Sequence, residues 1–134
     1  MPKNEDFSKT FAALRAILLA HKDQLSITQD RQDHFSTDAL RVRYRGKPVM
    51  FGAVRTGKNY VSFHFMPVYM NPQLQKRISP ELRQRMQGKA CFNFKTPDEE
   101  LFRQLAELTA AGLRSFAENS AGWPGIEIAE TPRP

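Results

Sequence analysis

The 134-residue chain holds a single cysteine, Cys91. An intrachain disulfide is therefore excluded, and so is a metal cage built from cysteines. No apolar run approaches the roughly 20 residues that cross a bilayer. The opening residues, Met1 to Phe7, are polar and lack the apolar stretch of a signal peptide. Together these absences point to a soluble, cytoplasmic protein with no membrane partner. The three histidines, His21, His34 and His64, show no ligand spacing such as two four apart on a helix, so a zinc centre is not expected. No glycine-rich phosphate loop is present, because Arg45-Gly46-Lys47 and Gly57-Lys58 are isolated and suit hairpins. No serine sits in a nucleophile elbow.

Acidic residues are missing from one long region. Between Ala39 and Pro80 there are eight basic residues and no acidic one: Arg41, Arg43, Arg45, Lys47, Arg55, Lys58, Lys76 and Arg77. The net charge is +6, so the remainder of the chain carries −2. A one-signed region attracts phosphates and other anions, although rows of Arg and Lys also serve solubility. At 40% apolar with mixed charge, the composition is that of a globular domain, of a size that buries a core without staples.

The apolar spacing predicts a helix over 5–22, with Phe7, Phe11, Leu14, Ile17 and Leu18 on one stripe and Asn4 as its cap. From Leu25 to Phe65 the period becomes two. Strands are expected at 25–27, 34–44, 49–55 and 60–65, joined by short polar turns and hence antiparallel. Val49, Phe51 and Ala53 are assigned one face. Val61, Phe63 and Phe65 point inward, and Tyr60, Ser62 and His64 point the other way. Asn71-Pro72 and Ser79-Pro80 are caps with proline at the first helical position, opening helices over 72–77 and 80–87, the second ended by Gly88. A strand follows at 90–95. Thr96-Pro97-Asp98-Glu99 is a capping box for a last helix that buries Leu101, Leu105, Leu108, Gly112, Leu113 and Phe116.

Two helices with one apolar stripe each require a shared surface. The expected fold is α+β: a two-layer sandwich with an antiparallel sheet of about five or six strands and the N- and C-terminal helices on one face. Residues 1–118 form the domain, and 119–134, with Trp123, are expected to be a loose tail.

The polar face of that sheet, together with the Tyr69 to Arg77 segment, carries the candidate site. Arg41, Arg43 and Lys58 would hold an anion, with Tyr60, His64 and Tyr69 contacting the rest of the ligand. Aromatic and basic interleaving of this kind also occurs on sheets that bind single-stranded nucleic acid, which is possible here but not favoured. His64 and Cys91 fall on the same side of their strands, where a thiol beside an imidazole is a possible nucleophile. Asp30, Asp33 and Asp38 lie close in sequence and are the available oxygen ligands for a hard or weakly held metal, although turns are rich in aspartate anyway.

The stretch Lys58-Asn59-Tyr60-Val61-Ser62-Phe63-His64-Phe65-Met66-Pro67-Val68-Tyr69, then Gly88-Lys89-Ala90-Cys91-Phe92-Asn93-Phe94, resembles the bacterial YdhG-like family of unknown function. The resemblance spans roughly 33–116. It implies an α/β sandwich similar to frataxin, and for one branch an iron-chaperone role. Frataxin-like iron binding uses an acidic patch on the first helix. Here that helix offers only Glu5 and Asp6, with Lys9, Arg15 and Lys22 beyond them.

The sequence thus leads to a non-enzymatic binding or accessory domain for an anionic ligand or protein partner, monomeric or homodimeric, with no required cofactor. An iron chaperone using Asp30, Asp33 and Asp38, and an enzyme using His64 and Cys91, are the alternatives.

Overall fold

A computed structural model describes residues 2–118 and 124–128 of the chain. It shows the α+β sandwich: one antiparallel sheet with the N- and C-terminal helices packed as a second layer. Helix α1 spans Pro2–Leu19, so Asn4 lies inside it rather than at its cap. Phe7, Phe11, Leu14 and Leu18 are buried, and Ile17 is half-buried at the edge of the stripe. Strands β1 (Leu25–Asp30), β2 (His34–Tyr44), β3 (Lys47–Thr56) and β4 (Val61–Phe65) follow as a meander.

Among the described residues the sheet has seven strands, against the expected five or six, in the order β1-β2-β3-β4-β6-β5, with β7 paired to β2. The two additions are short. Strand β5 is Met86–Gln87, and β7 is Ile126–Ile128. Strand β7 falls in the region expected to be a loose tail; it instead pairs antiparallel with Val42–Tyr44. Arg45 donates its backbone N–H to Gly125 O at 2.9 Å, which ties the same segment to the β2–β3 turn. Trp123 lies outside the described residues. That turn is a two-residue hairpin with positive φ at both Arg45 and Gly46, as a type I′ turn requires.

Register decides which side chains face the helices. Phe35, Val54, Phe63 and Phe92 are cross-strand partners, all buried toward α1 and α5. Thr37 pairs with Gly52 but Asp38 with Met50, so Phe51 is an extra residue in β3. This bulge reverses the alternation. Phe51 and Val54 both reach the core, where Phe51 meets Phe65 and Phe116 edge-on. Ala53 is turned to the opposite face beside Ser36 and His64, which corrects its expected place with Val49 and Phe51.

Three short helices separate β4 from β5: α2 (Met66–Met70), α3 (Pro72–Gln75) and α4 (Pro80–Arg83). The two Asn/Ser-Pro caps form as expected: Asn71 Oδ1 accepts from Gln73 N at 3.0 Å and Ser79 Oγ from Leu82 N at 3.1 Å. Gly88 does not end α4, which stops at Arg83; it makes the β5–β6 turn with φ 77°. Strand β6 is Cys91–Phe94, and α5 runs Glu99–Glu118. Its cap is Asp98, whose Oδ1 accepts from Leu101 N at 3.0 Å, rather than Thr96. Gly112 sits where α5 meets α2. A Cβ there would stand 2.5 Å from Phe65 Cζ and 2.9 Å from Pro67 Cβ, so the helix requires a glycine to approach this closely. Among the described residues no helix is long and apolar enough to cross a membrane.

Candidate functional site

The face of the sheet turned away from α1 and α5 is set by the same register. One row across it reads His34, Arg55, Ser62, Asn93; the next reads Gln29, Ser36, Ala53, His64, Cys91, Gln87. Neither row contains a carboxylate. His34, Ser36, Ser62, His64, Cys91 and Asn93 are half-buried, so their polar ends are within reach of solvent.

A hydrogen-bonded chain runs along this face. Ser62 Oγ donates to Asn93 Oδ1 at 2.7 Å, and Asn93 Nδ2 donates to Gln87 Oε1 at 2.9 Å. Gln87 Oε1 also accepts from Tyr60 Oη at 3.2 Å. Tyr60 is thereby held at the β4 side, with its ring half-exposed. Beside the chain, His64 Nδ1 lies 2.9 Å from Cys91 Sγ. The two are direct cross-strand partners, so the adjacency of β4 and β6 produces the contact.

The pair is electrostatically neutral. Burial, then the charges of Arg55 and His34, lower the pKa of His64 below its usual value. Burial pushes the Cys91 thiol up. Both shifts oppose a thiolate–imidazolium pair, which is the form that a cysteine nucleophile needs. The close Sγ···Nδ1 contact is thus a thiol–imidazole hydrogen bond.

His34, Arg55 and His64 are three side chains of basic type grouped on neighbouring strands. None of them is in an ion pair among the described residues, where the salt bridges are Lys9–Glu5, Arg15–Asp30, Arg103–Glu100 and Arg103–Glu107. Sequence reasoning singled out His64 and Tyr60 but not Arg55, His34 or Gln87 as site members. Hairpin parity across the Thr56–Tyr60 turn places Arg55 opposite Ser62 and was the available signal; Gln87 lies on the unforeseen β5.

The other expected ligand residues separate. Arg43 pairs with Pro48 beside the β2–β3 turn, whereas Lys58 lies in the β3–β4 turn. Eight residues of β3 at about 3.3 Å each put those ends roughly 26 Å apart, so the two cannot hold one small anion. Arg41 is on β2, and its side chain lies outside the described residues. Tyr69 is on α2, 47% exposed, at a different cleft.

Nor do Asp30, Asp33 and Asp38 converge. Asp30 pairs in register with the core-facing Phe35 and is held from the helix side by Arg15, whose Nη2 donates to both carboxylate oxygens at 3.0 and 3.1 Å. Asp38 points to the opposite face, between Ser26 and Met50, where burial raises its pKa. Asp33 lies in the β1–β2 turn, its carbonyl accepting from Thr56 N at 2.9 Å. The period of two explains the split: Asp30 opposes an inward residue and Asp38 is itself an outward one. Among the described residues no group of three His, Cys, Asp or Glu side chains is placed to hold a metal ion.

No protein-family model, curated protein or solved structure matches the chain.

Proposed function

We propose that the chain is a non-enzymatic binding module for an anionic ligand or partner, and that the anion sits on the open sheet face at His34, Arg55 and His64. The observation that supports this is the group of three cation-capable side chains in two rows without a carboxylate. Burial first, and then repulsion from Arg55 and His34, lowers the pKa of His64. An anion placed among them relieves that repulsion and gains charge-assisted hydrogen bonds from Arg55. Ser62 and Tyr60 add neutral polar groups beside it.

Pyrophosphate is a suitable probe. At about 100 times its dissociation constant a ligand stabilises the folded state by roughly 2.7 kcal/mol, several degrees in Tm for a domain of this size. The expected result is a Tm rise at low salt that shrinks at high salt and is absent in Arg55→Gln. The same rise in Arg55→Gln contradicts the assignment.

The 2.9 Å contact of His64 with Cys91 favours a second reading, a Cys–His enzyme. The directions of both pKa shifts count against it.

A further inference from the structure

A second site goes beyond that reading. A cleft of about 530 Å³ lies where α2, α3 and α4 meet the β5–β6 turn, lined by Tyr69, Gln75, Ile78, Arg83, Met86, Gly88 and Lys89. The wall is mostly polar, with an apolar patch where Ile78 is buried and Met86 half-buried. Tyr69 is one of three large hydrophobic residues that stay exposed among the described residues. Both charged residues of the lining, Arg83 and Lys89, are cationic and exposed, and no carboxylate is present. Gly88 adopts φ 77°, and nothing lies within 4 Å of where its Cβ would be.

The cleft is also braced. Gln75 Nε2 donates to Val68 O at 2.8 Å and fixes α3 on α2. The Gln75 carbonyl in turn accepts from Arg83 Nη2 at 2.8 Å. One edge of the guanidinium is thereby anchored, while its remaining N–H groups stay available. Preorganised donors of this kind lose little freedom on binding.

From this arrangement we infer that the cleft binds a planar aromatic anion of mononucleotide size. The ring system stacks on Tyr69 against Met86 and Ile78, and the phosphate lies between Arg83 and Lys89. Stacking on tyrosine tolerates any base, so the site selects for an aromatic group joined to an anion rather than for one base. It takes the ring and the phosphate together, and neither alone suffices.

The test is a titration by NMR or calorimetry with adenosine 5′-monophosphate, adenosine and inorganic phosphate in parallel. The monophosphate is expected to bind at least tenfold more tightly than either fragment. Lys89→Gln and Arg83→Gln each weaken it severalfold, Tyr69→Ala does the same, and Tyr69→Phe retains binding because the ring remains. Lys89 and Tyr69 are exposed, so their variants keep the fold, which a thermal melt verifies. In Arg55→Gln, which removes the sheet-face site, the monophosphate still binds, and Lys89→Gln and Tyr69→Ala still weaken it, which separates the cleft from the sheet face. Equal affinity for phosphate alone overturns the inference, as does undiminished binding in Lys89→Gln and Tyr69→Ala, or loss in Arg55→Gln alone.

Discussion

His64 and Cys91 face each other across β4 and β6 with Nδ1 and Sγ 2.9 Å apart, and both groups favour their neutral forms. The reactivity of the thiol follows. Iodoacetamide is expected to label Cys91 slowly at pH 7, with the rate climbing only above the ordinary thiol range. Rapid labelling at neutral pH, lost in His64→Gln, would show an activated thiolate and restore the enzyme reading.

The lowered pKa of His64 also fixes the sign of a pH effect. Above the unfolded value of about 6.5, the imidazole is neutral in both states and contributes nothing. As pH falls through 6.5 the unfolded chain takes up a proton that the folded protein still refuses. Stability therefore declines from pH 6.5 down to the lower folded-state value. Denaturant melts across pH 5 to 7.5 should show this decline, and His64→Gln should flatten it. An unchanged slope in that variant means that other groups control the window.

Gly112 tests the packing of the second layer. Replacing it with alanine gains about 1 kcal/mol of helix propensity. The added Cβ, however, meets Phe65 Cζ at 2.5 Å and Pro67 Cγ at 3.0 Å. Overpacking of this kind costs about 1–3 kcal/mol and neither neighbour is a flexible chain end, so the clash prevails. Gly112→Ala should lower Tm by several degrees; a higher Tm would mean that α5 does not pack this closely on α2.

The cap of α5 separates two readings of Thr96-Pro97-Asp98-Glu99. Asp98→Ala removes the acceptor of Leu101 N and should cost about 1 kcal/mol in a denaturant melt. Thr96→Ala should cost a few tenths at most. The reverse order would place the cap at Thr96.

Much of the fold was legible because local patterns agree with it. The stripes of α1 and α5 and the alternation Val61-Phe63-Phe65 each follow one period, and the core accepts them as written. Legibility failed where a single residue changes the count. The bulge at Phe51 leaves both Phe51 and Val54 buried, and no local signal distinguishes that from an unbroken strand carrying Ala53 inward. Capping failed for a similar reason: Thr96 and Asp98 are both good caps, and only the bond from Leu101 N to Asp98 Oδ1 distinguishes them.

The site was half legible. His64, Ser62 and Tyr60 share a face by parity, and the structure keeps them together. Arg43 and Lys58 were grouped by nearness in sequence, but a hairpin sends its two turns to opposite ends of β3. The same strand brings Arg55 between His34 and Ser62, a relation that depends on register and so is invisible to composition. The short strand Met86–Gln87 was missed because two residues carry no period, and with it the place of Gln87 beside Tyr60.

An anion held at His34, Arg55 and His64 is read out by following the His64 imidazole by NMR across pH, with and without pyrophosphate. His64 is expected to titrate below the ordinary histidine range alone and to move upward when pyrophosphate is present. In Arg55→Gln it should start higher, because one positive neighbour is gone, and respond little to pyrophosphate. A His64 titration indifferent to pyrophosphate, or an equal response in Arg55→Gln, would mean that no anion is held at these three residues.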